Sequence, residues 1–461
     1  MIVAVAAALF AASCGGRTEE PAGSEEPGAA TTAPAAEGTG GIDCTGEAPV
    51  ATDVGVTADT ITVEVMADVG ASVAPGLFQA NHDAMTAFAE YVNANGGIAC
   101  RQLEVNLWDT ALDADESLNG TIDACQKALA IVGSNALFNP DMSTVTECAD
   151  IDGNATGLPD IAALANDIAQ RCNPTTYLIQ GVSENCDVLE GERDVSGFTG
   201  FIDWALEQNG DDLHGLFMVP GDLPTTVVSA TYQIEAAAQA GVVWDSIARV
   251  SGRAEQAAYT PLVQQVKAAD SNFVYNGSND RTMAAMRKET AAQGVTSVDV
   301  WGCSLGCYTQ NFLETAGADA EGTYVWMQFL PFEEADSNEA LKAYVDAVGI
   351  DNADAFGAQA WQAALLFQHV VDQIVETDGI NGITRAKVLE VLATTDDFTA
   401  EGWMGDEGKD LRGFSTCMVI LQVRDGEFVR VFPEEEGTLD CDPANLTEFQ
   451  LDPELEATKI P

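Results

Sequence analysis

The sequence predicts an α/β fold in two lobes, each a mostly parallel sheet flanked by helices. Three observations carry this expectation. Segments with apolar residues at alternate positions take turns with segments whose apolar residues recur at helical spacing. Strands that alternate with helices in this way form a parallel sheet with right-handed crossovers. The strand-like runs are also too many for one domain of a 461-residue chain.

The elements follow in order. Ile61, Val63 and Val65 alternate, which predicts the first strand. Met85, Phe88, Ala89 and Val92 lie on one face of a helix that Asn95-Gly96-Gly97 should stop. Leu103, Val105 and Leu107 alternate next. A helix over 116–127 and a short apolar run over 128–133 complete the opening pattern. Further strands are predicted at 177–180, 215–219, 242–250, 273–276, 298–302 and 324–329. Helices over 225–240, 261–269 and 282–293 separate most of them. Near the end, two apolar runs flank Asp425-Gly426, a strong hairpin signal.

The N-terminus has a different character. The apolar run 2–12 ends at Ala11-Ala12-Ser13-Cys14, the small-residue junction a lipoprotein signal peptidase cuts. Residues 1–14 are read as a lipoprotein signal peptide, with Cys14 carrying lipid. No Lys or Arg precedes the run, so an ordinary signal peptide with an incidental Cys stays open. A membrane span needs about 18 apolar residues, more than this run holds. Residues 15–54, rich in Glu, Pro, Gly, Ala and Thr, read as a disordered acidic tether.

Composition excludes one class of partner. Lys and Arg number 19 against 73 Asp and Glu, a net charge of −54. Nucleic-acid binding requires basic residues to displace counterions from phosphate. Such acidity favours solubility at the cost of self-repulsion, which a salty external medium would screen. Hydrophobic residues make up 46%, enough for a sizeable core.

The chain has 11 cysteines. With Cys14 lipidated, ten remain for five disulfides in an oxidising compartment. Sequence does not fix their connectivity. Nearest-neighbour pairing suggests Cys44 with Cys100, Cys125 with Cys148, Cys172 with Cys186, Cys303 with Cys307 and Cys417 with Cys441. Cys-x2-Cys pairs are absent, and His82, His214 and His369 lie far apart, so neither metal nor cofactor is expected.

Three stretches carry a family resemblance: Gly55-Val56-Thr57-Ala58-Asp59-Thr60-Ile61-Thr62-Val63; Tyr91-Val92-Asn93-Ala94-Asn95-Gly96-Gly97-Ile98 followed by Arg101 and Asp109; and Gly402 through Asp410-Leu411-Arg412-Gly413-Phe414. Over residues 55–435 the chain resembles type I periplasmic solute-binding proteins of the branched-chain amino-acid ABC-transporter family. The resemblance implies two lobes joined by three chain crossings, with ligand held in the cleft. Lobe one is expected at 55–181 and 324–395, lobe two at 182–323 and 396–435. Residues 436–461 would be a tail that wraps the surface or stays loose. It further implies a monomer without enzymatic activity that serves a permease pair with cytoplasmic ATPases and touches the membrane only through its lipid.

The resemblance also nominates residues. Ser134 and Asn135, after the 128–133 strand, would hold a ligand carboxylate, although Asn135 also suits a turn. Ala165 and Asn166 lie in the second carboxylate-binding turn, where helix capping by Asn166 or Asp167 is the alternative. Ser72 lies in the loop after the first strand. On the second lobe, Tyr275 would line the pocket, although a tyrosine in a strand more often belongs to the core, and Asp222 would meet a ligand cation or merely turn the chain. Ser304 lies in the loop Cys303-Ser304-Leu305-Gly306-Cys307, where amino-acid binders of the family often carry a Glu for the ligand's ammonium. This loop has no acid, and an unpaired ammonium in a dry cleft is costly. Amino acids, amides, ureas and aromatic or other organic acids therefore all remain as ligands.

Gly302-Cys303-Ser304-Leu305-Gly306 also fits the Gly-x-Ser-x-Gly turn of serine hydrolases. His369 would be the base and Asp336 or Asp351 the acid. Against this, His369 lies within a continuous helical pattern over 361–374. A two-lobed sensor is a third reading, but no signalling domain follows the body.

Overall fold

The alternation at Ile61, Val63 and Val65 builds β1 (Thr60–Ala67), and all three side chains are fully buried. Glu64 and Met66 on the other face are buried too, as a parallel sheet covered on both faces requires. The computed structural model describes residues 44, 46–71, 75–179, 186, 193–210, 212–221, 224–405 and 411–451. Cys14, Ser72 and Asp222 lie outside these residues.

Helix α1 (Gln79–Ala94) buries Met85, Phe88, Ala89 and Val92, the face read from their spacing. It stops where Gly96 and Gly97 adopt φ of +102° and +81°. A Cβ at Gly97 would lie 2.1 Å from the Arg101 carbonyl oxygen, so glycine is required there. β2 (Gln102–Asp109) pairs parallel with β1 along its whole length. It is an edge strand, and Leu107 is exposed. α2 (Ala114–Lys127) begins at Asp113, whose carboxylate accepts from the N–H groups of Asp115 and Glu116.

The strand predicted over 128–133 is β3 (Ala130–Val132), and after a break the chain pairs again as β4 (Asn135–Ala136), beyond the predicted run and within the expected loop. After the single turn α3 (Ser143–Thr146), the next strand is also split, into β5 (Asp160–Ala162) and β6 (Leu164–Ala165). The turn α4 (Ile168–Arg171) leads to β7 (Thr176–Leu178). β3 and β4 pair with β1, β5 with β3, β6 with β4 and β7 with β5, all parallel.

The second sheet takes β9 (His214–Pro220), β10 (Val243–Val250), β11 (Phe273–Asn276), β12 (Val300–Cys303) and β13 (Thr323–Met327) from a chain that starts with β8 (Arg193–Phe198). The helices between them are α5 (Gly200–Gln208), α6 (Pro224–Ala240), α7 (Thr260–Ala269), α8 (Asp280–Ala292) and α9 (Gln310–Ala316). The chain then forms α10 (Glu339–Val348), α11 (Ala355–Asp378) and α12 (Arg385–Leu392). α11 packs against α1 in the first lobe, with Trp361 edge-on to Phe88 at 5.0 Å. The chain returns to the second sheet as β14 (Val419–Arg424) and β15 (Glu427–Phe432). The order is β10-β9-β11-β12-β13-β14-β15, with only the last two pairings antiparallel. Asp425 and Gly426 turn the predicted hairpin with φ of +54° and +80°.

Two boundaries differ from expectation. β13 belongs to the second sheet, so the chain leaves that lobe after Met327 rather than at 324. Residues 446–451 of the supposed tail form β16 (Leu446–Leu451), antiparallel to β8. Phe449 and Leu451 bury against Val195, Tyr232 and Ala236, and this apolar contact is why the segment is a strand and not a loose end.

The bridges are Cys44–Cys100, Cys125–Cys148, Cys172–Cys186, Cys303–Cys307 and Cys417–Cys441, the same pairs as nearest-neighbour spacing. Arg101, from the second resemblance motif, is 1% exposed and has a scaffolding role. Its guanidinium donates to the carbonyls of Thr57, Ala99, Ile380 and Val50 and to the Asn381 side chain, tying the chain before β1 to the segment after α11. Among the described residues no helix is long and apolar enough to cross a membrane.

Candidate functional site

Parallel strands deliver their C-terminal loops to one edge of each sheet, where ligands of open α/β folds bind. Here those edges face a cleft of about 1030 Å³ lined from both lobes.

The first-lobe wall is organised by a residue that sequence reading missed. Asp68 follows β1 and is fully buried. Its carboxylate accepts from the Thr110 hydroxyl at 2.6 Å, the Leu112 N–H at 2.7 Å and the Leu137 N–H at 2.8 Å. Its backbone carbonyl accepts from the Phe78 N–H at 3.1 Å. Phe78, Leu112 and Leu137 all line the cleft. Burial raises the pKa of Asp68, and these donors pull it back. An aspartate at a strand end signals only a turn until its partners, some 40 and 70 residues away, are folded beside it.

The nominated residues separate into two groups. Ala165 and Asn166 line the cleft at the end of β6. The Asn166 amide nitrogen is buried with no partner among the described residues, and Asp167 makes no side-chain cap to α4. Ser304 and Tyr275 line it from the second lobe. Ser134 and Asn135 are not among the lining residues. The Ser134 hydroxyl accepts from the Met66 N–H at 2.9 Å inside the first lobe. Asn135 is fully buried, its backbone paired with Ala67 and Leu164.

Tyr275 is 4% exposed and set among aromatic rings. Its hydroxyl accepts from the Trp326 indole N–H at 2.9 Å, and burial raises its pKa. The second-lobe loops are held by Asn276, also missed. Its side-chain amide donates to both sulfurs of the Cys303–Cys307 bridge, at 3.3 and 3.4 Å, and to the Asn279 carbonyl at 2.9 Å. Its amide oxygen accepts from the Ser278 N–H at 3.1 Å. One buried side chain thus fixes both loops, 277–279 and 304–306, that line this wall.

Arg171 reaches from the first lobe toward α6 of the second. Its guanidinium carbon lies 5.9 Å from the Tyr232 ring centroid, with Nη1 3.5 Å from the Ser229 hydroxyl.

The hydrolase arrangement is not assembled. Ser304 lines the cleft, but no histidine does among the described residues. His369 sits on α11 beside Gln373 at 2.7 Å and against Phe398. Asp336 lies at the surface by Lys342, and Asp351 is exposed. Among the described residues no group of three His, Cys, Asp or Glu could hold a metal.

Residues 60–427 match a family model described as periplasmic binding protein. No curated protein sequence matches. Among solved structures, a leucine binding protein from Thermotoga maritima is 13% identical, covers 83% of this chain and 99% of its own, and has a TM-score of 0.61. A branched-chain amino acid transporter substrate binding protein from Streptococcus pneumoniae, solved in complex with isoleucine, is 15% identical over 81% of this chain and 100% of its own, with a TM-score of 0.58. An ABC transporter substrate binding protein from Aeropyrum pernix is 14% identical over 84% and 97%, with a TM-score of 0.61. Two lobes, a shared cleft and a family match across most of the chain agree: it belongs to the periplasmic binding protein family.

Proposed function

We propose that this protein is an extracytoplasmic solute-binding protein, anchored by lipid on Cys14, that captures a small ligand between its lobes and delivers it to an ABC importer. The observation that carries this reading is the cleft lined from both lobes in a chain matched to the family over 60–427. The isoleucine complex of the Streptococcus pneumoniae protein supports the same mode of use. Ala165, Asn166 and Ser304 contact the ligand, the lobes close on it, and no covalent step occurs. The ligand class spans amino acids, amides, ureas and organic acids.

A thermal-shift screen of those four classes tests the reading, because a ligand that binds only the folded state raises the melting temperature. A hit should also reduce the radius of gyration in small-angle scattering as the lobes close. Ester hydrolysis lost in Ser304→Ala would replace this reading with the hydrolase. Release of the protein from membranes by Cys14→Ala tests the anchor.

A further inference from the structure

Much of the second-lobe wall of the cleft is aromatic: Phe198, Phe201, Phe217, Trp244, Tyr275 and Trp326. Phe198 stacks on Trp326 at 4.4 Å and Phe217 on Tyr275 at 5.2 Å. Both indole N–H groups are already used, by the Ile234 carbonyl and the Tyr275 hydroxyl. Phe198, Trp244 and Trp326 are partly exposed and offer apolar surface to whatever enters, backed by the buried rings of Phe201, Phe217 and Tyr275. The first-lobe wall matches them with Leu77, Phe78, Leu112, Leu137 and Phe356.

The charged groups at the cleft point one way. Its two described acids are both committed to the fold. Asp280 accepts from the Thr309 hydroxyl, the Asn311 amide and the Arg281 N–H. Asp354 caps α11 through the N–H groups of Phe356 and Gly357. Arg253 and Arg281 also line the cleft, and both are exposed. Neither guanidinium has an ion-pair partner among the described residues, in a chain with 73 acids against 19 bases. Among the described residues the cleft thus supplies positive charge and aromatic surface but no uncommitted acid for an ammonium. Its volume of about 1030 Å³ is at the upper end, roughly 300–1,000 Å³, of sites for drug-sized ligands.

We propose that the ligand is an organic anion with a bulky aromatic or otherwise apolar body, its charge turned to Arg253 and Arg281 and its body laid on the aromatic wall. This rests on the solute-binding reading and narrows its ligand. A carboxylate gains a charge-assisted hydrogen bond from each guanidinium, and the body gains by leaving water.

The test is calorimetric titration of the purified protein with sodium naphthoate, its uncharged amide naphthamide, L-leucine and L-isoleucine. Naphthoate should bind one-to-one and quench tryptophan fluorescence. The Arg253→Gln, Arg281→Gln double variant alters only exposed side chains and should weaken naphthoate about tenfold or more. Naphthamide should bind the unaltered protein as weakly as naphthoate binds that variant. Ala230→Trp, on α6 in the cleft wall, should block naphthoate by filling the space. Saturable binding of leucine or isoleucine without naphthoate overturns the ligand class and leaves the solute-binding reading standing. Naphthoate binding indifferent to the arginine and Ala230 variants overturns the placement. Silence from all four compounds also overturns the class, and the broader solute screen then judges the solute-binding reading separately. Naphthoate recovered chemically altered overturns the solute-binding reading itself.

Discussion

The Trp326 indole N–H donates to the Tyr275 hydroxyl at 2.9 Å, joining β13 to β11 across the intervening strand β12. Both side chains line the cleft, so the bond shapes the site as well as the sheet. Trp326→Phe leaves the buried hydroxyl without that donor and should cost about 1–3 kcal/mol. Tyr275→Phe should cost a similar amount by orphaning the indole. The double variant should be more stable than the sum of the two losses predicts. Urea unfolding of the four proteins checks this; additive losses would mean the bond contributes nothing.

Asp68 sets the opposite wall. Asp68→Ala strands the Leu112 and Leu137 N–H groups and the Thr110 hydroxyl in a buried site. The loss should be roughly 2–4 kcal/mol. Ligand affinity should fall by more than the global destabilisation explains, because Leu112 and Leu137 lose their anchor. Titration of the variant well below its unfolding temperature separates the two effects.

Glu64 gives the fold a pH dependence. It lies on the β1 face toward α2, fully buried, its carboxyl oxygens without a hydrogen-bond partner among the described residues. Burial pushes its pKa from 4.5 up to about 8; Asp123 adds to the rise, and Lys127 opposes it. The folded state therefore holds a proton that the unfolded chain releases. Stability from this group is complete at low pH and falls as pH rises from about 4.5 to about 8. Glu64→Gln should flatten that slope and recover on the order of a few kcal/mol at pH 9. Urea midpoints of the two proteins should nearly coincide at pH 4.5, draw apart steadily up to about pH 8 and keep a constant gap above it.

Net charge predicts a salt response. At −54 the chain repels itself, and added salt screens that repulsion. The melting temperature should climb as sodium chloride is raised from low concentration to about 1 M. A flat profile would mean that the acids are arranged so that their repulsion is already offset.

Fold class was legible because periodicity survives at the level of single elements. The run 273–276 is a strand with those bounds, and the helix face at Met85, Phe88, Ala89 and Val92 is buried as spaced. The tail strand was not legible, because β16 exists only through its pairing with β8, some 250 residues earlier in the chain. The break after Val132, with a further strand piece at 135–136, was hidden for a similar reason. Gly133 adopts φ of +74°, and its Cβ position is closed by Met85 and Ala360, residues of two distant helices.

The sequence by itself determined the α/β alternation, the hairpin at Asp425-Gly426, the acidic character of the body and the stretches that place the chain in its family. All of these rest on local periodicity, turn chemistry or composition. Only the tertiary structure decided which side chains face the cleft. Ser134 and Ser304 both follow strands, yet the Ser134 hydroxyl accepts from the Met66 N–H inside the lobe while Ser304 lines the cleft. That difference depends on which backbone groups of distant strands lie within bonding reach, and neighbours in sequence do not specify it.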